Sequence, residues 1–338
     1  MIHSYRPSGP LRWVIERLPS RHKWDFIGAI AAEDRANSVA LELDSMRKLG
    51  KSQFLRIADE PSEFEARTRK ACDDNLAVLT KLLSEEPCVC DTELFSDIDE
   101  LEELFVEVQK LIGGDVVLDI TSLPKRFFFH LVRRLRSSTS VRNLLVTYTL
   151  PQGYGKKIHK NPGGWMLLPG FGSEDSSSGM PMLVIAVGYH YLKLLELIRD
   201  QTPQPVRLLM PFPSMPPGFA QNWEFVRYIR EQGVEFAPRD IRRVDPFSLS
   251  LAFDHILAQC AGHETELILA PFGPKPISLA MALYALAREE AGLPVTVGYT
   301  QPMAYSPDYS HGVRRGHDGK PVVHTYCVKL DGNLLFEL

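Results

Sequence analysis

Short apolar runs alternate along this chain with stretches in which apolar residues return every three or four positions. WDFIGAIAA (24–32) reads as a buried strand, and NSVALELDSMRKLG (37–50) as a helix ending in glycine. SQFLRIAD (52–59) reads as a second strand, followed by a helical pattern from about 63 to 83. CVCDTELF (88–95), DVVLDIT (115–121) and RNLLVTYT (142–149) continue the strands, with helices at 98–114 and up to about 135 between them. The rhythm stops at NPGGWMLLPGFGSEDSSSGMP (161–181), rich in Gly, Ser and Pro, and then restarts. MLVIAVG (182–188), VRLLMPF (206–212), TELILAPF (265–272) and LPVTVGYT (293–300) are its strands. Helical patterns run to about 200, over 222–232 and 246–261, and to about 290. The final segment, VVHTYCVKLDGNLLFEL, reads as a hairpin turning at Asp331-Gly332. The expected fold is α/β: two tandem Rossmann-like parallel-sheet units, 1–160 and 182–338, joined by a linker at 161–181, with the C-terminal hairpin in the second unit.

Composition narrows the chemistry. The chain has 338 residues, 44% of them hydrophobic, and a formal net charge of -4. That length accommodates about two domains, and the charge gives no general attraction for nucleic acid or membrane, so an anion site has to be local. No apolar run is long enough for a transmembrane helix, and the N-terminus lacks the pattern of a signal peptide. The cysteines, Cys72, Cys88, Cys90, Cys260 and Cys327, lack metal-site or redox spacing and read as reduced thiols of a cytoplasmic protein. No cofactor is expected.

The two halves share an unusual pair of signals. VVLDITSLPKRFFFHLVRRL and LILAPFGPKPISLAMALYAL both carry Pro-Lys between a strand and an apolar helix, and both are followed by Tyr-Thr-x-Pro-x-x-Tyr. Lys125 precedes Tyr148 by 23 positions, and Lys275 precedes Tyr299 by 24. We read this as an internal duplication. Proline is favoured at a helix start. A lysine there opposes the helix dipole, and in the first half Arg126 compounds it. Free amides beside a cation make an anion site, and in a parallel sheet this junction lies at the carboxyl edge, where ligands bind.

Other candidates follow from that edge. Thr121, Ser122 and Ser278 offer hydroxyls, and Gly273 permits close backbone approach to a ligand. After the first strand of each half come Glu33-Asp34-Arg35 and Gly188-Tyr189-His190. Tyr148 and Tyr299, on the last strands, could stack on a base, although tyrosines at such positions are more often core or rim.

The second copy, LILAPFGPKPISLAMALYALA, resembles the motif of CRISPR-associated Rossmann-fold (CARF) domains, and two such units in one chain resemble SAVED domains. The resemblance implies a sensor of cyclic oligonucleotides in prokaryotic antiviral defence, with Lys275, and by duplication Lys125, facing ligand phosphates. The loops depart from the family pattern: Thr-Ser-Leu-Pro-Lys and Phe-Gly-Pro-Lys replace paired glycines with a threonine before the lysine. Residues 1–23 and 313–338 are too short for an effector, so the resemblance implies a separate effector chain. Homo-oligomerisation is left open.

Two other readings stand beside the sensor. Asp119, at the end of a buried strand beside Thr121 and Lys125, is the best candidate for a catalytic base or metal ligand, as in a phosphoribosyltransferase-like enzyme or a ring nuclease. The alternative role for Asp119 is to cap its own loop. His311, His317 and His324 lie near Arg314, Arg315 and Asp318, a cluster that reads as a polar loop before a metal site. The third reading is an assembly subunit whose ligand edge receives a partner protein.

Overall fold

The computed structural model describes residues 5–18, 23–155, 159–172, 180–188, 194, 204–214 and 218–338. Residues 1–161 with 302–335 form one compact unit, and 162–301 with 336–338 form the other.

In the first unit β1 (Ser8–Pro10) and α1 (Leu11–Arg17) precede β2 (Trp24–Ile30), α2 (Ser38–Ser45), β3 (Leu49–Ala58), α3 (Glu65–Leu82) and β4 (Cys88–Glu93). Then come α4 (Ile98–Leu111), β5 (Asp115–Asp119), α5 (Lys125–Ser137), β6 (Asn143–Thr149) and β7 (Pro151–Tyr154). Five parallel strands stand in the order β6-β5-β2-β3-β4. The chain runs outward from β2 to β4, returns to β5 beside β2, and runs outward the other way, so the order reverses between β2 and β5. The central strands β5 and β6 are buried along their whole length, and the middle of each is apolar, as parallel strands covered on both faces require. Trp24, Phe26, Phe54, Val117 and Leu145 are buried in one core cluster. Asp97 and Glu100 close a reciprocal capping box at the start of α4.

The second unit contains β8 (His159–Leu167) from residue 162 onward, β9 (Met182–Ala186), β10 (Val206–Pro211), α6 (Gly218–Glu231), β11 (Ile241–Val244), α7 (Leu249–Gln259), β12 (Leu267–Pro271), α8 (Lys275–Glu290) and β13 (Val295–Tyr305) as far as residue 301. Its sheet order is β11-β10-β9-β12-β13-β8, with parallel pairing from β11 to β13. The order again reverses between the first and fourth parallel strands, here β9 and β12. Leu183, Ile185, Leu208, Phe225 and Ile268 pack in its core. Residues 276–288 of α8 are buried on every side, as its Ala- and Leu-rich sequence requires.

Three expectations need correction. The C-terminal hairpin exists, but it belongs to the first unit: β15 (Val323–Leu330) pairs antiparallel with β6, and β16 (Asn333–Leu334) folds back on it. Its turn is the expected one, with φ of 48° at Asp331 and 82° at Gly332. A Rossmann-like sheet leaves the outer side of its last parallel strand open, and β15 fills that position on β6. The proposed linker at 161–181 also contains the end of β8, which pairs on the corresponding strand of the second sheet. Gly50 does not end the second helix. Arg47 takes the left-handed conformation instead, at φ 56°, and Gly50 lies in β3 against Trp24 and Asp25.

Candidate functional site

Doubly wound sheets bind ligands at the carboxyl edge, where the strand order reverses. In the first unit that crevice is flanked by the loop after β2, carrying Glu33 and Arg35, and by the β5–α5 junction, carrying Asp119, Thr121, Ser122, Lys125 and Arg126. The structure therefore gathers every candidate of the first half except Tyr148 at these two junctions, and Tyr148 lies on the neighbouring β6.

Arg35 starts inside a short 3₁₀ turn, Asp34–Asn37, and is 1% exposed. Its Nε and Nη2 donate to Glu33 Oε2 at 2.9 and 2.7 Å, and its Nη1 donates to the Thr149 carbonyl at 2.8 Å. Burial works against the Arg35 charge, but Glu33, with Tyr148 and Tyr154, outweighs it and holds the guanidinium pKa well above its ordinary value. Ser122 Oγ donates to the other Glu33 oxygen at 3.3 Å, and Ser310 Oγ donates to Oε2.

Asp119 is buried at the end of β5. Its Oδ1 accepts from Thr121 N at 3.2 Å, from Thr121 Oγ1 and from Thr147 Oγ1 at 3.1 Å. The Thr121 hydroxyl in turn accepts from Thr149 N at 2.9 Å. These bonds tie β5, its loop and β6 together, which is the work of a loop cap. Lys125 is the first residue of α5 and is 6% exposed; Pro124 is the cap residue. Arg126 turns toward the loop before α4 and donates to the Ser96 carbonyl. Its Nε is buried without a hydrogen-bond partner, and burial lowers its pKa against the pull of Asp97.

A ribbon that the hydrophobic pattern did not reveal is tied to this edge. β7 pairs antiparallel with β14 (Ser310–Val313), and Gly312 N donates to Asp34 Oδ2 at 2.8 Å. Tyr148 and Tyr154 hydroxyls lie 3.0 Å apart, and Tyr154, Tyr309 and Tyr305 follow edge to face with centroids 6.1 Å apart. The Arg35 guanidinium lies 5.4 Å from the Tyr148 ring centre. Tyr154 and Tyr305 are the final tyrosines of the repeated Tyr-Thr-x-Pro-x-x-Tyr, the one sequence signal for this array. Asp59, just past β3, also escaped sequence reasoning. Burial raises its carboxyl to about 6, although Tyr305 N donates to it at 2.8 Å.

The second unit builds its crevice differently. A Cβ on Gly188 would collide with the Phe272 carbonyl, and one on Gly273 would lie 3.0 Å from both Ala186 Cβ and Val187 O. These glycines let the two flanking loops touch each other, which accounts for Gly273 without a ligand. Ser278 is buried and its hydroxyl faces the carbonyls of Pro271, Gly273 and Pro274 at 3.2–3.4 Å. Tyr299 packs against Phe272, with ring centres 5.5 Å apart. Lys275 is half-buried at the first position of α8. Tyr189 and His190 lie outside the described residues.

A cavity of about 670 Å³ opens at the opposite, amino edge of the first sheet, lined by Lys23, Asp25, Asp115, Arg142 and Lys329. Lys329 there donates to the carbonyls of Arg136 and Ser138, closing the end of α5. Among the described residues no three His, Cys, Asp or Glu side chains come together as a metal site, and no helix is long and apolar enough to cross a membrane. A scan against protein-family models finds no match to this chain, and a search of curated proteins finds no relative.

Proposed function

We propose that this chain is a nucleotide- or cyclic-oligonucleotide-binding sensor subunit whose paired Pro-Lys helix starts hold phosphate. One observation carries the reading. The two helix starts are built alike, with φ and ψ of -56° and 151° at Pro124 and -53° and 148° at Pro274. Each follows the fourth parallel strand of a sheet with the same order, beside the reversal. Each has lysine as its first residue, no acidic residue in its first turn and no side-chain cap. A cation recurs at the positive end of a helix dipole in both units, and an anion bound there would be favoured by the free amides and the lysine together. An ancestral duplication accounts for the repeat, and the antiviral setting with a separate effector chain rests on the CARF and SAVED resemblance. The enzymatic reading takes second place because Asp119 Oδ1 already serves three donors.

The test is a thermal-shift screen with mononucleotides and with linear and cyclic oligonucleotides, on wild type and on Lys125→Ala/Lys275→Ala. Ligand at 100 times its dissociation constant stabilises by about 2.7 kcal/mol. The expected result is a shift with one ligand class that the double variant loses. No shift with any nucleotide would remove the proposal.

A further inference from the structure

Three exposed aromatic side chains form a cluster on the second unit that its core does not account for. Phe212, Phe219 and Trp223 are 42%, 51% and 39% exposed. Their rings meet edge to face, with centroids 6.4 Å apart for Phe212–Phe219 and 6.3 Å for Phe219–Trp223. Arg243, on edge strand β11, lies over Phe212 at 5.1 Å. Exposing three contiguous aromatic rings is costly for a protein surface and marks a binding site.

Its place in the fold identifies the occupant. Phe212 is the residue after β10, and Phe219 and Trp223 stand one turn apart at the start of α6, so the cluster lies at the carboxyl edge of the sheet. Leu209, Ala186 and Pro271 stand side by side on β10, β9 and β12. With strands about 4.8 Å apart, Leu209 and Pro271 are separated by about 10 Å. Phe212 lies three residues beyond the one, and Lys275 four residues beyond the other. The aromatic cluster and the Pro-Lys helix start thus lie along one carboxyl edge, after strands two positions apart in the sheet.

A second, independent feature sits beside the rings. Asn222 is 1% exposed and its Nδ2 donates to Ser214 Oγ at 2.8 Å, but its Oδ1 is buried without a donor. Ser214 Oγ donates in turn to the Pro211 carbonyl at 2.7 Å, placing this unfilled acceptor at the loop that carries Phe212.

We infer that Phe212, Phe219, Trp223 and Arg243 form a stacking platform for the nucleobase of the ligand whose phosphate Lys275 holds. The inference rests on the sensor reading. It makes the second unit the half that reads the base. Sequence-tolerant stacking on aromatic rings and arginine is the chemistry by which single-stranded nucleic acid is held.

The experiment uses the full chain, with adenosine monophosphate, a short linear oligoadenylate and a cyclic oligoadenylate as probes. Ribose 5-phosphate is the baseless control. Tryptophan fluorescence is read in wild type and Trp223→Phe, and affinity in wild type, Phe219→Ala, Trp223→Ala and Lys275→Ala. The expected result is fluorescence quenching by a base-bearing probe but not by ribose 5-phosphate, absent in Trp223→Phe. Loss of either ring should weaken that probe by about 10- to 100-fold and leave ribose 5-phosphate unchanged. Nucleotide binding with no Trp223 signal and full affinity in Phe219→Ala and Trp223→Ala would overturn the platform and leave the sensor reading intact. No binding of any probe would overturn both. Trp223 quenching that survives Lys275→Ala at full affinity would keep the platform and refute its coupling to the lysine. Capture of a protein by the aromatic cluster, with no nucleotide effect, would also overturn it.

Discussion

Replacing Glu33 with Gln would strand a charge inside the first unit. Arg35 is 1% exposed and two of its three hydrogen bonds go to Glu33. The amide side chain would keep the shape but remove the negative charge, leaving the guanidinium to the Thr149 carbonyl and the tyrosines. Breaking a buried ion pair from one side costs about 3–5 kcal/mol. The same substitution weakens the Ser122 and Ser310 bonds, so part of the loss falls on the β7/β14 ribbon. Because the chain has two units, global denaturation would blend them, and hydrogen exchange of peptides over β2, β5, β6 and β14 is the better assay. At 1.4 kcal/mol per tenfold, 3 kcal/mol corresponds to exchange faster by about a hundredfold. Peptides of α7 and α8 should keep wild-type rates. Arg35→Met/Glu33→Gln, which removes both charges, should cost less than the sum of the single changes. A cost below about 1 kcal/mol for Glu33→Gln, or simple additivity in the double variant, would refute the claim that this pair holds the edge together.

Two further predictions concern stability. The Asp59 carboxyl is raised from 3.8 to about 6 by burial, so the native state binds the Asp59 proton more tightly than the unfolded chain does. This contribution is fully present below about pH 4 and is lost as pH rises through about 6. The loss amounts to about 3 kcal/mol at most, at 1.36 kcal/mol per pH unit of difference. Asp59→Asn, which can still accept from Tyr305 N, should therefore be the more stable protein at pH 7 and should flatten the pH 4–7 profile. Equal slopes in the two proteins would show that Asp59 is not buried as described. In the second unit, Gly188→Ala drives a methyl into the Phe272 carbonyl and should destabilise by about 1–3 kcal/mol. Gly164→Ala, with nothing within 4 Å, should be tolerated, and thermal melts of the two variants make the comparison.

Much of the fold could be read from the chain because its causes are local. The runs at 24–32, 115–121 and 265–272 became central strands because a strand covered on both faces must be apolar throughout. Pro124 and Pro274 marked helix starts because proline's fixed φ suits them, although both are cap residues and the lysines take the first helical position. Asp331-Gly332 marked a two-residue hairpin turn because both residues tolerate positive φ. The candidate site was legible to the same depth. The strand ends identified Glu33, Arg35, Asp119 and Lys125 as edge residues, but not which of them would bond to one another.

Tertiary structure decided the rest. Residues 302–335 return to the first unit because β6 offers an open edge there, and nothing in their own pattern names that partner. Ser310 reaches Glu33 across 277 positions, and Gly312 reaches Asp34 across 278, so the ribbon at the edge depends on contacts that no local period encodes. The same holds for Asp59, whose carboxyl is raised by what surrounds it, and for Phe212, Phe219 and Trp223, which read as ordinary apolar positions. Periodicity along the chain records which face of an element must leave water. It cannot record which distant element covers that face, or leaves it bare, because that depends on how whole sheets and helices pack.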